Sequence, residues 1–321
     1  MPKSIAPKSF SLKIDRSRRS LLMVDSFFRE AKVLRAHFEE RFGDPRRADA
    51  GRFVWDYWNV PDQYTALRTP AYEFFPEKIY NAFHQQLVWW GRRTLGCHDV
   101  SPTWMSCYID GCHQQFHGDI PHGPWAFVFS LTPWKAREFT GGETMLLREE
   151  ILSYWTQFAS GRALEKADVI DEIPALFNRL TVFDPRIPHG VREVRGPRDV
   201  LKGRLVIHGW FVQPRPFIEG PLPTKTLQAS IDGLSEELQK LFDEGLDVTG
   251  VLSFHFQVDR LGKVKSPKVL SNSVRHPRGD TAIEVALIQH IRKYLMSCSF
   301  GRQKSESSVT LPLVFELHEL K

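Results

Sequence analysis

His117, Asp119 and His189 are the residues of this chain whose types and spacing most directly suggest chemistry. The first two form a His-Gly-Asp triplet, and the third stands seventy positions beyond Asp119 in RIPHGVREV. Two imidazoles and one carboxylate can hold a divalent iron on one face and leave the opposite coordination positions open to substrate and oxygen. Arg204, in GRLVIHGWF, offers a complementary group. A guanidinium at the inner end of an apolar strand is costly to bury alone, but it takes an anionic carboxylate through two parallel hydrogen bonds.

Such residues need elements to bring them together. Strand parity projects His117 and Asp119 to one side while Gly118 turns away. His189 follows a strand predicted over Leu180 to Phe183 that breaks at Pro185 and Pro188. Two strands remote in sequence but adjacent in space are what an antiparallel double-stranded jelly roll provides. Two helices are predicted ahead of it. One runs from about Asp25 to Phe42, with Phe28, Val33, Leu34, Phe38 and Phe42 at three- and four-residue spacings, and RFGDPRR stops it. The other runs from Pro76 to Thr94, with Ile79, Phe83, Leu87 and Trp90 on one face. Both would brace the barrel from outside. A polar insert over Leu152 to Asp171 interrupts the strands.

Other groupings compete for the same roles. Cys107, Cys112, His113 and His117 fall within eleven residues and could suggest zinc, but they lack a CxxC pair and would consume His117. Arg192, Arg195, Arg198 and Lys202 rival Arg204 as the anion partner. His208 shares strand parity with Arg204 and so faces the same interior, as a ligand or as a hydrogen-bonded core histidine. Trp89, Trp90, Trp104 and Trp125 either line a pocket or fill the core. The stretch from Phe53 to Phe75, with Trp55, Tyr57, Trp58, Tyr64 and Arg68 interleaved, is the source of substrate contacts favoured by its position ahead of the barrel.

On these residues the segment from about Tyr108 to Phe211 resembles the Fe(II)- and 2-oxoglutarate-dependent oxygenases, in particular their prolyl-hydroxylase-like branch. Tyr108 and Gly111 precede His117 much as a tyrosine and a glycine precede the HxD triplet there. FTGGETMLL, from Phe139 to Leu147, resembles that branch's GGE strand, and GRLVIHGWF resembles its closing strand. The resemblance implies a jelly roll in which His117, Asp119 and His189 bind Fe(II). It also implies 2-oxoglutarate and O2 as co-substrates, with Arg204 meeting the far carboxylate of the keto acid. Tyr108 would be either a co-substrate contact or a core aromatic. Hydroxylation of an unactivated C–H bond, with release of succinate and CO2, is the implied outcome, since halogenating relatives lack the carboxylate that Asp119 supplies.

The chain departs from the pattern in two places. Fifteen residues separate His189 from Arg204, with GPRDVLKG inserted as a turn. Val206 stands where many relatives carry a hydroxyl that touches the co-substrate, a role open to Tyr108 or His208. Arg198 and Arg204 have the spacing of the nucleic-acid-demethylating relatives, but Val200 and Lys202 replace the asparagine and threonine found between those arginines. Two rival readings stand beside the oxygenase: a cupin-type metal enzyme that does not use 2-oxoglutarate, and a non-catalytic binding protein acting through its C-terminal module.

Four prolines in QPRPFIEGPLPTK, residues 213–225, mark a linker. Beyond it the pattern changes. Leu227, Ile231, Leu234, Leu238, Leu241 and Phe242 form a helix face; Leu252, Phe254, Phe256 and Val258 alternate as a strand; Asp259 to Val264 makes a hairpin turn into a return strand ending at Leu270. A helix over Thr281 to Met296 and a last strand over Val309 to Leu317 complete a ββαβ order. The pattern over roughly Asp247 to Leu317 resembles the C-terminal domain of TonB-type energy-transducing proteins, which meets partner peptides by edge-strand pairing. It implies a small α+β domain over 226–321, serving either as an interaction or self-association module or as a stabilising cap.

The element pattern and the resemblances together imply a chain that is mainly β with α, and length and composition fit a soluble two-domain protein with a sizeable core and a small second domain: 321 residues, 42% hydrophobic and 25% charged. No apolar run approaches the roughly 20 residues of a membrane span. The four cysteines make no disulfide framework, and LLMV (residues 21–24) is too short for a signal peptide's apolar core, so the expected location is cytoplasmic. Six basic residues and Asp15 in the first twenty account for the whole formal net charge of +5. That stretch reads as a flexible leader, and the oxygenase-like domain as 21–212. A formally neutral remainder argues against an extended nucleic-acid footprint, and the resemblance implies a peptidyl or small-molecule substrate without identifying it.

Overall fold

Arg204–Pro214 is the spine of the molecule. Leu205, Ile207 and Phe211 on one face of this strand are fully buried in the main apolar cluster, while Arg204, Val206, His208 and Trp210 on the other line a cavity. That alternation is the period-2 signature of a strand between two different environments. The computed structural model describes residues 20–44, 56–120, 122–149, 151 and 169–316. The basic leader, Phe53, Trp55 and most of the polar insert lie outside the described residues.

In chain order the elements are β1 (Leu21–Asp25), α1 (Ala31–Gly43), β2 (Asp56–Val60), β3 (Tyr64–Pro70), α2 (Ala71–Phe74), α3 (Glu77–Thr94), β4 (Cys97–Val100), β5 (Trp104–Tyr108), β6 (His113–His117), β7 (Trp125–Ser130), β8 (Thr144–Leu147), β9 (Ile170–Ile173), β10 (Arg179–Phe183), β11 (His189–Val191) and β12 (Arg204–Pro214). Their strands form one curled antiparallel sheet in the order β1-β10-β7-β12-β5-β3-β6-β11-β8-β9, with β2 on β3 and β4 on β12. The chain is thus mainly β, with helices on the outer side. α3 presents Phe83, Leu87 and Trp90 to the sheet, and α1 presents Leu34 and Phe38.

Three sequence expectations need correction, and the turn expected at GPRDVLKG is present. The first helix begins at Ala31 rather than Asp25, because Leu21–Asp25 pairs with β10 as an outer strand. Asn178 then holds the chain between that strand and α1: its backbone carbonyl and side-chain oxygen accept the N–H groups of Phe27 and Phe28, and its amide donates to Phe28 O. The glycines of the GGE motif are not in a strand. Gly141 and Gly142 take φ of +76° and +77°, a left-handed turn open to glycine, and β8 starts only at Thr144. GPRDVLKG closes with a 3-10 turn at Val200–Lys202, capped by Asp199 accepting from Leu201 N–H. Finally, the proline-rich stretch is not bare linker. β12 runs on to Pro214, and β13 (Phe217–Glu219) pairs with the last strand of the chain.

After β13 come α4 (Thr224–Asp243), β14 (Gly250–Val258), β15 (Val264–Asn272), α5 (Thr281–Ser297) and β16 (Ser307–Phe315). They form a second antiparallel sheet in the order β13-β16-β14-β15. Leu227, Leu234 and Leu238 of α4, with Leu287, Ile291 and Leu295 of α5, cover its apolar face in a separate cluster with Phe254 and Phe256. The opposite face meets the C-terminal end of α3. Ser253 Oγ donates to Leu95 O at 2.8 Å, Thr310 Oγ1 to Arg93 O at 3.0 Å, and Arg93 pairs with Glu219 at 2.9 Å.

Candidate metal centre and its cavity

His117 and His189 become neighbours through strand pairing. β11 runs antiparallel to β6 with His189 directly opposite His117, although 72 positions separate them in sequence. Their rings lie 4.4 Å apart, centroid to centroid. Asp119 reaches the same point by a different route. β6 ends at His117, so strand parity does not aim the carboxylate; instead Asp119 N–H donates to Pro185 O at 2.9 Å, in the turn that precedes His189.

The three side chains converge. Nε2 of His117 lies 3.4 Å from Asp119 Oδ1, Nε2 of His189 lies 3.3 Å from Asp119 Oδ2, and one ligand atom from each falls within 4.8 Å of the others. Two ligands at about 2.1 Å from one ion and at a right angle sit about 3 Å apart, so the spacing suits three facial positions. Nδ1 of His117 lies 2.9 Å from Gln115 O, and Nδ1 of His189 lies 2.9 Å from Ile187 O. A carbonyl only accepts, so both Nδ1 atoms carry the proton and both Nε2 atoms turn to the centre, as outer hydrogen bonds do for metal-binding imidazoles.

Electrostatics support a ligand-ready carboxylate. Burial by itself pushes Asp119 up, but the hydrogen bonds and charge of His117 and His189 outweigh it and hold the carboxyl well below the usual range. For His117 burial lowers the pKa, while the hydrogen bonds to Asp119 and Gln115 O and the Asp119 charge together outweigh it and leave it raised. A metal ion would take the place of that proton.

Arg204 lies across the cavity, at the start of β12 and opposite Tyr108 of β5. It is 1% exposed. Nη2 donates to Thr144 Oγ1 at 3.0 Å, the guanidinium carbon sits 4.9 Å from the centre of the Tyr108 ring, and Nε is buried with no hydrogen-bond partner among the described residues. Burial draws its pKa below the ordinary guanidinium value, with Tyr108 and Glu143 opposing. A buried cation with a spare donor is an incomplete arrangement that an anion completes. The four sequence rivals all lie elsewhere: Arg192 pairs with Glu143 and Glu172, Arg195 with Glu193, Arg198 with Asp110 and Lys202 with Glu138.

Triad, Arg204 and Tyr108 border one cavity of about 890 Å³. His208 also faces it, with Nε2 2.8 Å from Ser106 Oγ. Burial, then the charges of Arg68 and Arg204, hold its pKa down to about 3, so the ring is neutral. Arg68 enters from β3 with its guanidinium 3.8 Å from the ring centre of Trp104 and 4.5 Å from that of Trp58. Trp104 lines the cavity, whereas Trp90 and Trp125 are core. The cysteines give no zinc site: Cys107 is fully buried with its thiol pushed up to about 12, and the triad is the one metal-competent cluster among the described residues.

Some cavity residues had little signal in the sequence. Gln114 has the opposite strand parity to His117, yet its amide lies 3.1 Å from His117 Nε2. A register shift opposite His189 and Val191 inserts one extra residue between them on β6, and this bulge turns both side chains to the same side. Thr144 and the carbonyls of Pro185 and Ile187 act through backbone geometry or one hydroxyl, which residue type alone does not disclose.

No family model matches the chain, and no curated protein matches it. Among solved structures it is similar to a prolyl-4-hydroxylase from Pseudomonas putida, at 15% identity and a TM-score of 0.43 over 62% of this chain and 95% of that one. It is also similar to HygX from Streptomyces hygroscopicus with nickel and 2-oxoglutarate bound, at 11% identity and a TM-score of 0.40 over 60% of this chain and 82% of that one. A collagen prolyl hydroxylase from Paramecium Bursaria Chlorella virus-1 gives 12%, 0.37, 61% and 98% for the same quantities. At those values the functional reading rests on the side chains of this molecule and not on the likeness.

Proposed function

We propose that this chain is a non-haem Fe(II)- and 2-oxoglutarate-dependent oxygenase whose curled sheet is a double-stranded β-helix. One observation carries the reading: a His-Asp-His cluster and a buried guanidinium with a spare donor face each other across one cavity. A cupin-type enzyme without a keto acid has no use for Arg204 in that place. In this reading His117, Asp119 and His189 hold the iron, and Arg204 with Thr144 takes the distal carboxylate of 2-oxoglutarate. Bound iron and keto acid supply the oxidation: the co-substrate and O2 become succinate and CO2 as a substrate C–H becomes C–OH.

The protein's own part is placement. Asp119 stays ionised beside two imidazoles whose Nδ1 protons are fixed, so the ligand atoms need no rearrangement of tautomer. Tyr108 packs against the Arg204 guanidinium and covers the anion site from water. His208 remains neutral and adds no third cation next to Arg204 and Arg68. The cavity leaves room for a peptidyl or small-molecule substrate beside the co-substrate. The C-terminal sheet and its helices form a separate folding layer, proposed as a domain over 226–321 joined by β13.

The test is succinate release by Fe(II)-loaded protein in air across panels of peptides, free amino acids and small cyclic metabolites. The reading predicts succinate stoichiometric with an oxidised product for at least one panel, and for Arg204→Ala a requirement for 2-oxoglutarate raised at least about tenfold, the scale of charged hydrogen bonds. An unchanged requirement in that variant contradicts the clamp. No succinate under any condition contradicts turnover.

A further inference from the structure

The turn that orients two of the three triad residues is gripped from the C-terminal sheet. Asp184 to Ile187 closes on itself through Ile187 N–H donating to Asp184 O at 3.2 Å. Pro185 O accepts the Asp119 N–H, and Ile187 O faces His189 Nδ1, both at 2.9 Å. Arg186 stands between those two carbonyls, and its side chain crosses into the second sheet. Nη1 donates to Thr249 Oγ1 at 3.0 Å and Nη2 to Ser273 O at 2.6 Å. The same guanidinium ties back to the buried Asp184 carboxylate through Nε at 2.9 Å and Nη2 at 2.6 Å.

The receiving notch is shaped for this contact. A Cβ on Gly250 would stand 2.3 Å from Ser273 O and 2.8 Å from Arg186 Nη2, and the φ of +128° there is one that side-chain-bearing residues rarely adopt. Thr249 is held in place by a reciprocal pair of backbone hydrogen bonds with Arg275. A planar guanidinium spreads its donors over three nitrogens in a fixed fork, so it can bind a carboxylate in bidentate fashion while also reaching a hydroxyl and a carbonyl, whereas a lysine offers three donors on one atom. Of the other contacts made by the C-terminal sheet, those from Glu219 and Thr310 to Arg93 end on α3, which gives no residue to the cavity, Ser253 meets Leu95 just past that helix, and Arg275 pairs with Glu149 beyond β8.

We propose that Arg186 is a positioning residue of the metal centre, through which Thr249, Gly250 and Ser273 of the C-terminal sheet fix the turn that aims Asp119 and His189. The inference rests on the reading of His117, Asp119 and His189 as ligands. It assigns the C-terminal sheet a function within the chain: holding the ligand geometry of a site to which it contributes no side chain.

Co(II), a redox-stable stand-in for iron, gives a readout independent of turnover. Its affinity and ligand-field absorption are to be measured on the full chain for wild type, Arg186→Ala, Arg186→Lys, Thr249→Val, Glu219→Ala and His117→Ala, with the melting temperature of each metal-free protein alongside. Arg186→Ala is expected to weaken Co(II) about 10- to 100-fold, the range for outer-shell partners, and to alter the absorption. Arg186→Lys keeps a cation for Asp184, so metal-free melting recovers while affinity stays low. Thr249→Val is expected to lose about three- to tenfold, the worth of one hydrogen bond, and Glu219→Ala to match wild type. Wild-type affinity and absorption in Arg186→Ala overturn the proposal, and if that variant does not fold, wild-type affinity in Thr249→Val does so. Equal Co(II) binding by wild type and His117→Ala instead removes the triad reading, and the proposal falls with it.

Discussion

His208 is a neutral imidazole in a cavity that already holds two guanidinium groups, and its titration has a visible consequence. The folded protein holds it at about 3, whereas in the unfolded chain it titrates near 6.5. Between those values the unfolded state binds the extra proton, so this residue's contribution to stability is intact above about pH 6.5 and is lost progressively as pH falls toward 3. Replacing it with glutamine removes that loss. In urea unfolding at pH 7 and pH 5, wild type should lose on the order of 1 kcal/mol more than His208→Gln, about half of full linkage because the ring edge opens on the cavity. Parallel losses would show that the ring is not held neutral. Residue types alone pointed to His117, Asp119 and His189, because few other clusters offer that donor set. They did not separate Arg204 from Arg192, Arg195, Arg198 and Lys202: all five are cations within thirteen positions, and burial with an unmatched donor is what sorts them.

At the scale of elements, α3 braces the curled sheet without touching the cavity. Leu87 is fully buried against the sheet. Leu87→Ala should cost about 2–5 kcal/mol in chemical denaturation and leave Co(II) affinity within about twofold of wild type, since no residue of this helix lines the site. A cost below about 1 kcal/mol would mean that the helix is peripheral to the core. This helix was legible because its apolar residues recur at helical spacing. The first helix was less so. Phe28 fits a helical register with Leu34 and Phe38, but it plugs the core from a turn that Asn178 holds 150 positions away, and local periodicity carries no trace of such a partner. The bulge in β6 that brings Gln114 beside His117 was hidden for the same reason, because it is set by pairing with β11.

Across the whole molecule two antiparallel sheets share one interface, and the cavity belongs to the first. Composition changes near residue 213 marked the transition, and the alternation of Leu252, Phe254, Phe256 and Val258 marked β14. Proline content did not reveal that Phe217–Glu219 crosses over to pair with β16, because a three-residue edge strand has almost no pattern of its own. Nor could spacing show that Arg186 bridges the sheets beside the triad. All of this converges on one ion held by three side chains. Anaerobic calorimetry of Fe(II) with the full-length protein, followed by 2-oxoglutarate, tests that most directly. Wild type should bind one equivalent of iron and then one of 2-oxoglutarate, with the second step absent from the metal-free protein, and Asp119→Ala should lose the first step. Iron bound as tightly by Asp119→Ala as by wild type, or 2-oxoglutarate bound equally with and without metal, would contradict the account.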